Sequence, residues 1–366
     1  MNSFFADWQV CRRSALRERY TRMTRFILTM LLSAAMSYAG TYSAERTTVD
    51  GIEVIVLKDA ARKIEVRVVP SIGNNAYQMT ANGKPVLWSP YRSPKELLDK
   101  PIQLGNPLLS PWANRIDGDA YWANGKKYLL NPELKNFRHD ANRKPIHGLV
   151  VYARDWKVTA LKADGGSASI TSLLEFWRRA DWMAQFPFAH NLEMTYRLRD
   201  GSLEVETAVI NLSADPMPLS LGYHTYFRIE DSPRDDWKVH VPARDRVVAN
   251  ELLIPTGETR PIALADPQPL RDVVLDDAFV NLVRDASGRA EFRVEGVRQR
   301  IRALFGPKYT VGIAYAPAGR DFICFEPMTG ITNAFNLAQS GVYRDLQTIP
   351  PGGTWRESFW IIPEGY

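Results

Sequence analysis

The sequence predicts an all-β fold, built as a large antiparallel β-sandwich. Short runs in which apolar and polar residues alternate recur along most of the chain, and turn-forming dipeptides separate them. No long stretch shows the 3.6-residue period of a helix. About fifteen or more such strands are predicted, which is more than one open twisted sheet usually carries, so we expect stacked sheets.

The predicted strands follow one another as hairpins. Asn82-Gly83 and Asn124-Gly125 are dipeptides that favour the tight turn of a hairpin. The clearest hairpin is predicted over residues 191–211, where Asp200-Gly201 joins two alternating arms. Residues 254–272 are rich in proline, and we expect a long surface loop there. The final stretch, "TWRESFWII", alternates again and predicts a last strand.

Residues 1–39 are typical of a signal peptide or leader. A positively charged start precedes the apolar run Phe26–Met36, and Ser37-Tyr38-Ala39 supplies the small residues that a signal peptidase requires. We expect cleavage after Ala39 and a periplasmic or secreted protein whose residues 40–366 form a single domain. The apolar run is shorter than the roughly 20 residues of a membrane span, so no stable span is expected in the mature chain.

The charge and the cysteine content bear on nucleic-acid binding and on disulfide formation. The formal charge is +5, but the leader holds six arginines and two acidic residues, which leaves 40 basic and 39 acidic side chains in the remainder. A nearly neutral body gives no support to nucleic-acid binding. Cys11 belongs to the leader, so Cys324 is expected to be a buried side chain that forms no internal disulfide.

Four short segments contain polar residues that a plain strand does not need. Arg115 lies in "PWANRIDG", His147 in "PIHGLV", His224 in "SLGYHTYF" and Glu326 in "FICFEPMTG". Glu326 follows an apolar strand sequence, where burial raises a carboxyl pKa toward the range of a general base. A structural ion pair is the alternative for Glu326, and a buried structural pair is the alternative for His147 and Arg115.

His224 combines an ionisable ring with aromatic neighbours. A histidine changes charge near neutral pH and serves as an acid or a base. Tyr223, Tyr226 and Phe227 surround it in sequence and could form a wall on which a sugar stacks. A core histidine satisfied by backbone groups is the alternative.

The sequence lacks the motifs of metal sites, serine nucleophiles and phosphate-binding loops. The sequence has no helical histidine pair, no close Cys/His cluster and no aspartate-rich calcium loop. It also lacks a glycine-flanked serine elbow and a glycine-rich phosphate loop after a strand. We therefore expect an acid–base site that uses neither a metal nor a cofactor.

In their order along the chain, these segments resemble the aldose 1-epimerase (galactose mutarotase) family. The resemblance extends from about residue 50 to the C-terminus, and it includes "NRI", the "NGK" turn, "HG", Trp156, "FPF", "H.YF", "LDDAF" and "EP". It implies the galactose mutarotase-like supersandwich. It also implies an isomerase that interconverts sugar anomers.

The resemblance also implies a role for each matched residue. Glu326 would take the proton of the anomeric hydroxyl, and His224 would protonate the ring oxygen, from opposite sides of the sugar. His147 and Arg115 would bind hydroxyls and the ring oxygen, and Asp276 of "LDDAF" would hold other hydroxyls. The expected partner is a small sugar.

Two alternatives remain beside a mutarotase of a free aldose. One is a hexose-6-phosphate 1-epimerase, since Ser110-Pro111-Trp112 stands where many family members have Gly-Arg. The other is a non-catalytic carbohydrate-binding β-sandwich. The matched segments offer Arg115 as their one obvious anion-binding group, which favours a neutral aldose over a sugar phosphate.

Overall fold

A computed structural model describes residues 41–366, and the predicted leader, residues 1–39, lies outside the described residues. The first strands of the described part are β1 (Tyr42–Val49), β2 (Ile52–Asp59), β3 (Ile64–Val69), β4 (Asn75–Ala81), β5 (Lys84–Pro85), β6 (Leu108–Leu109), β7 (Ala120–Ala123), β8 (Lys126–Leu129), β9 (Arg138–His139), β10 (Pro145–Ile146), β11 (Lys157–Ala163), β12 (Ala168–Glu175), β13 (His190–Arg199) and β14 (Ser202–Asn211). The strands that follow are β15 (Met217–Leu219), β16 (Gly222–Tyr223), β17 (Thr225–Phe227), β18 (Lys238–His240), β19 (Ala243–Ala249), β20 (Pro255–Pro261), β21 (Gln268–Pro269), β22 (Leu275–Leu282), β23 (Ala290–Glu295), β24 (Arg300–Phe305), β25 (Val311–Ala316), β26 (Ile323–Met328), β27 (Gln347–Ile349) and β28 (Thr354–Glu364). The helices are short: α1 (Pro94–Asp99), α2 (Ala180–Gln185) and α3 (Ala334–Gln339).

Three large antiparallel sheets contain most of these strands, and three two-stranded sheets contain the others, which confirms the predicted all-β sandwich. A five-stranded sheet has the order β1-β2-β3-β4-β5. A nine-stranded sheet has the order β11-β12-β13-β14-β28-β24-β23-β18-β21. An eight-stranded sheet has the order β20-β19-β22-β25-β26-β16-β6, and β17 also pairs with β26.

The predicted hairpin turns are confirmed. Asn82-Gly83, Asn124-Gly125 and Asp200-Gly201 each lie between paired strands, and both residues of each dipeptide have positive φ. Two consecutive residues with positive φ match the twist of the flanking strands, which is why these dipeptides favour hairpins.

The prediction of one long loop over residues 254–272 is wrong. β20 occupies Pro255–Pro261 and pairs with β19, and β21 pairs with β18. Six of the seven β20 residues are exposed, so the strand lacks the alternation that identifies half-buried strands. β20 is an edge strand, where proline is tolerated because one side of the strand needs no hydrogen-bond donors.

The nine-stranded and eight-stranded sheets pack against each other through large apolar side chains. Phe292 of β23 lies 5.6 Å from Phe325 of β26, measured between ring centroids, and Tyr223 of β16 lies 4.8 Å from Phe359 of β28. At Gly312 of β25, an added Cβ would lie 2.2 Å from the Phe292 ring. The close approach of the two sheets therefore requires a glycine at that position.

The other face of the eight-stranded sheet carries a second, smaller apolar cluster. Ile313 of β25, Val247 of β19 and Met328 of β26 belong to it, together with Ala334 of α3 and Val151 of a connecting segment. Loops and α3 therefore cover part of this outer face. No helix within residues 41–366 is long and apolar enough to cross a membrane.

Candidate active site

Strand register brings His224 and Glu326 together on the outer face of the eight-stranded sheet. In β17 and β26, Thr225 lies opposite Phe325 and Tyr226 lies opposite Cys324. The same register places His224 opposite Glu326. Because side chains alternate between the two faces of a sheet, Phe325 points into the core between the sheets while Glu326 points outward.

The two side chains approach each other closely in a buried position. Nε2 of His224 lies 3.4 Å from Oε1 of Glu326, and the residues are 8% and 2% exposed. Nδ1 of His224 and Oε2 of Glu326 are buried and have no hydrogen-bond partner within the described chain. Buried polar atoms normally have partners, so these two atoms leave unmet hydrogen-bonding capacity at the pair.

Burial shifts the two pKa values in opposite directions. It raises the pKa of Glu326 well above its usual range, and the nearby Asp276 carboxylate adds to this effect while Arg115 opposes it. Burial also lowers the pKa of His224 to about 3, and the positive charge of Arg138 contributes to that. Both shifts therefore favour the uncharged form of the pair, in which the proton that the two groups share is on the carboxyl group.

His147 reaches this pair because two loop segments run side by side. Isolated β-bridges join Ser110 to Gly148 and Arg115 to Ile146. The N–H of His147 donates to the Asn114 carbonyl at 2.9 Å. The His147 ring then lies edge-on to the His224 ring, with 5.6 Å between the centroids.

His147 is held in an unusual backbone conformation and a buried position. Its φ is 65°, in the left-handed region, where side chains other than glycine are uncommon. Burial, followed by the proximity of His224, lowers its pKa well below the usual value, so the ring is neutral. Its Nδ1 is also buried with no partner among residues 41–366.

Arg115 is fixed by a carboxylate and an amide. Its Nε donates to Asp140 at 2.6 Å, and its Nη1 donates to Asn114 at 2.8 Å. Burial acts to raise the pKa of Asp140, but hydrogen bonds from the Lys144 backbone and from Arg115 outweigh it, and the pKa is lowered. Asp140 is therefore ionised and pairs with the guanidinium.

Asp276 lies at the edge of the site, opposite Tyr315 in the pairing of β22 with β25. The residue is exposed, and with Arg115 it lines a cavity of about 210 Å³. Desolvation raises the pKa of Asp276, which Arg115 opposes and Asp277 reinforces. The structure thus places three of the predicted residues, His147, His224 and Glu326, together, with Arg115 and Asp276 near enough to act electrostatically on Glu326.

Sequence reasoning identified the aromatic neighbours of His224 only in part. The Tyr226 ring stacks on the His224 ring with 4.6 Å between centroids and 15° between planes. Tyr223 and Phe227 were expected in the same wall, but they occupy the opposite face of the sheet and are fully buried in the core. Alternation along a strand allows only every second residue onto one face.

Tyr315 is an aromatic residue that sequence reasoning missed. Its ring centroid lies 5.9 Å from that of His224. Cys324 lies between Tyr226 and Tyr315 in the strand pairing and is fully buried, as expected. The position of Tyr315 on the strand that pairs with β26 is a signal that becomes visible only when the sheet order is known.

Comparisons with known proteins identify the fold and the family. A family model for aldose 1-epimerase matches residues 56–361. The uncharacterized protein YihR of Escherichia coli is 26% identical over 159 residues, which are 43% of this chain and 47% of that protein. The match therefore spans about half of the length of this curated relative.

Solved structures share the fold at low sequence identity. A galactose mutarotase-like protein from Clostridium acetobutylicum superposes with a TM-score of 0.79 and 22% identity, over 89% of this chain and 99% of that one. Galactose 1-epimerase from Lactobacillus acidophilus superposes with a TM-score of 0.69 and 15% identity, over 89% and 100% of the two chains.

Proposed function

This chain belongs to the aldose 1-epimerase family, and we propose that it interconverts the α and β anomers of a free aldose by opening and reclosing the pyranose ring. The observation that carries the proposal is the buried contact between Glu326 and His224, whose Oε2 and Nδ1 atoms also have no hydrogen-bond partner in the described chain. Ring opening requires a base at the anomeric oxygen O1 and an acid at the ring oxygen O5.

Glu326 is proposed as the base and His224 as the acid. As Glu326 takes the proton of O1, the O1 electrons form a carbonyl with C1. The C1–O5 bond breaks, and its electron pair takes the proton of His224 Nε2. After rotation about C1–C2, O5 attacks the other face of the carbonyl, and the two protons return along the same paths.

The geometry differs from the arrangement expected from sequence. We expected the two groups on opposite sides of the ring, but they lie 3.4 Å apart. A sugar ring does not fit between groups at that distance. O1 and O5 are bonded to the same carbon, so a pair that faces one edge of the sugar can serve both oxygens.

The uncharged pair can reach the ionised state that the reaction requires without gaining or losing a proton. The reaction starts from ionised Glu326 and protonated His224, which contain the same number of protons as the uncharged resting pair. One proton transfer across the 3.4 Å contact converts one state into the other. The positive charge of Arg115, which favours the ionised form of Glu326, supports the working state.

A purely carbohydrate-binding role is a weaker explanation of these features. A binding site needs hydrogen bonds to sugar hydroxyls, which polar groups of ordinary pKa supply. Burial of a carboxyl group and two imidazoles costs folding free energy unless they are partnered, and binding alone does not require that cost. The acid–base pair therefore favours catalysis over binding alone.

The direct test follows the equilibration of pure α-anomers by NMR or polarimetry, with and without the purified protein. The panel includes glucose, galactose, and a hexose 6-phosphate for the alternative substrate class. Acceleration over buffer supports the proposal. The absence of acceleration for every sugar, by a protein that is folded by circular dichroism, would reject it in favour of the binding role.

A further inference from the structure

Arg138 is a second arginine beside the candidate site, and it lies outside every motif identified in the sequence. Ile146, the residue before His147, pairs with Arg138 of β9 on one side and bridges to Arg115 on the other. Partners in antiparallel pairs point to the same face, so Arg115 and Arg138 flank Ile146 in one row. Two guanidinium groups are thereby placed next to the segment that carries His147.

The two arginines differ in their partners. Arg115 is paired with Asp140 at 2.6 Å. Among residues 41–366, no carboxylate lies within salt-bridge distance of Arg138, and its nearest aromatic contact is the Tyr152 ring, 5.9 Å from the guanidinium carbon. Arg138 is exposed and therefore keeps its charge available for a ligand.

A cavity of about 710 Å³ opens next to Arg138. Its lining includes Gly148, which follows His147, and the aromatic residue Tyr152. Lys135 and Arg154 also line it, and neither forms an ion pair in the part of the chain that the structure describes, whereas the two carboxylates of the lining, Asp155 and Asp181, pair with Arg179. Anion recognition in proteins usually recruits two or more such basic groups, so this cavity has the composition of an anion site.

The charge of Arg138 also acts on the catalytic groups. It contributes to the lowered pKa of His147 and of His224, in both cases after burial. An acid at position 224 must be protonated, and an uncompensated positive charge nearby opposes that. An anion bound at Arg138 would compensate the charge and make protonated His224 easier to form.

We propose that Arg138, with Lys135 and Arg154, binds an anionic substituent of the sugar, so that the preferred substrate is an aldose carrying a carboxylate or a phosphate away from C1. This inference rests on the proposed epimerase function. It departs from the neutral aldose expected from sequence, because Arg138 lies outside the segments on which that expectation depended. A carboxylate and a phosphate offer the same chemistry to a guanidinium, and the experiment distinguishes them.

The test compares anomer equilibration of glucose, glucuronate and glucose 6-phosphate by the wild-type protein and by Arg138→Gln. Each rate is corrected for spontaneous mutarotation in buffer. We expect kcat/KM for at least one of the anionic sugars to exceed that for glucose by about tenfold or more. Arg138→Gln should remove that preference, so that kcat/KM for the preferred anionic sugar falls to about the value for glucose in the same variant.

Two further variants separate charge from structure. Arg138→Lys keeps the charge and should retain part of the preference, whereas Arg298→Gln, at an exposed arginine that does not line the cavity, should leave it unchanged. The larger of the two anionic rates identifies carboxylate or phosphate as the substituent.

The results that overturn the inference are equally specific. Equal wild-type rates for the neutral and anionic sugars, or an equal loss for all three in Arg138→Gln, would reject the anion site and leave the proposed epimerase function intact. No acceleration of any sugar would reject both proposals.

Discussion

His224 and Glu326 face each other across 3.4 Å on the outer side of the eight-stranded sheet. Two buried ionisable groups this close bind their protons as a pair, so neither has an independent titration. In the proposed reaction the pair accepts one proton from O1 of the sugar and donates another to O5. Removal of either group should therefore stop the reaction, even where the fold is retained.

Glu326→Gln is expected to remove most of the anomerase activity and to preserve the fold. The amide has the shape of the protonated carboxyl group but cannot accept the O1 proton. Loss of one positioned acid–base group typically costs about 10²–10⁴-fold in rate. NMR equilibration of α-glucose measures the loss, with Glu133→Gln at an exposed position as the matched control. A wild-type rate in Glu326→Gln would show that another group is the base.

Stability should fall with decreasing pH in a way that depends on His224. The pKa of this residue is lowered to about 3 in the folded protein, against about 6.5 in an unfolded chain. Between those values an unfolded chain binds a proton at His224 that the folded site does not bind there, so the contribution of His224 to the free energy of unfolding decreases as pH decreases. Glu326, whose pKa is raised, contributes in the opposite direction. One such group contributes up to about 1.4 kcal/mol per pH unit.

His224→Asn should make this acid destabilisation shallower. Urea unfolding at several pH values below neutrality measures the slope, with His139→Asn, a more exposed histidine, as the control. Part of the slope should remain, because burial also lowers the pKa of His147 and His190. A slope in His224→Asn equal to that of the wild type would mean that His224 does not have the low pKa described.

Asp140 is expected to act as a positioning residue through Arg115. Asp140→Asn removes the charge that orients the guanidinium, but the amide oxygen can still accept the backbone N–H groups of Asn142 and Lys144. We expect kcat/KM to fall by about tenfold, mainly through KM, with little change in thermal stability.

Asp117→Asn is the matched control for Asp140→Asn, because Asp117 pairs with Lys144 at a more exposed position. A fall in stability as large as the fall in activity would assign Asp140 a structural role only. Unchanged kinetics in Asp140→Asn would show that Arg115 does not bind the substrate, or that it binds without a fixed orientation.

Much of the fold was predictable because the signals are local. Asn82-Gly83, Asn124-Gly125 and Asp200-Gly201 determine their hairpins through backbone conformations that few other residue pairs adopt. The edge strand β20 was not predicted, because an exposed strand has no apolar face and its sequence therefore does not alternate between apolar and polar residues.

The candidate site was predictable where its residues stand out within a single segment. Glu326 in an apolar strand and His147 before a glycine are such cases. Tyr315 and Arg138 are not, because they join the site through strand pairing and loop bridges between distant segments. Register across a sheet is a long-range property that single-sequence patterns do not contain.

The leader remains a prediction, and we propose that the protein is exported. The mature chain should begin near Gly40, because a charged start, a short apolar run and small residues precede that position. N-terminal sequencing of the protein purified from its native cells tests this. Recovery of intact residues 1–39 on a soluble cytosolic product would contradict it.

Gly148 should be the least replaceable glycine of the site. Its φ is +66°, and an added Cβ would lie 2.2 Å from the carbonyl oxygen of Ser110. Gly83 is the matched control, because its φ is +79° but no atom lies within 4 Å of an added Cβ. A left-handed conformation costs an alanine about 1–2 kcal/mol at either position.

Gly148→Ala should therefore cost more than Gly83→Ala in the free energy of unfolding, by about 1–3 kcal/mol, because only Gly148 meets a backbone atom. The bridge between Ser110 and Gly148 also aligns the two segments that carry Arg115 and His147, so its displacement moves both side chains. Anomerase activity should fall in Gly148→Ala and remain near the wild-type value in Gly83→Ala. Equal losses of stability in the two variants would show that the close contact with Ser110 relaxes without cost.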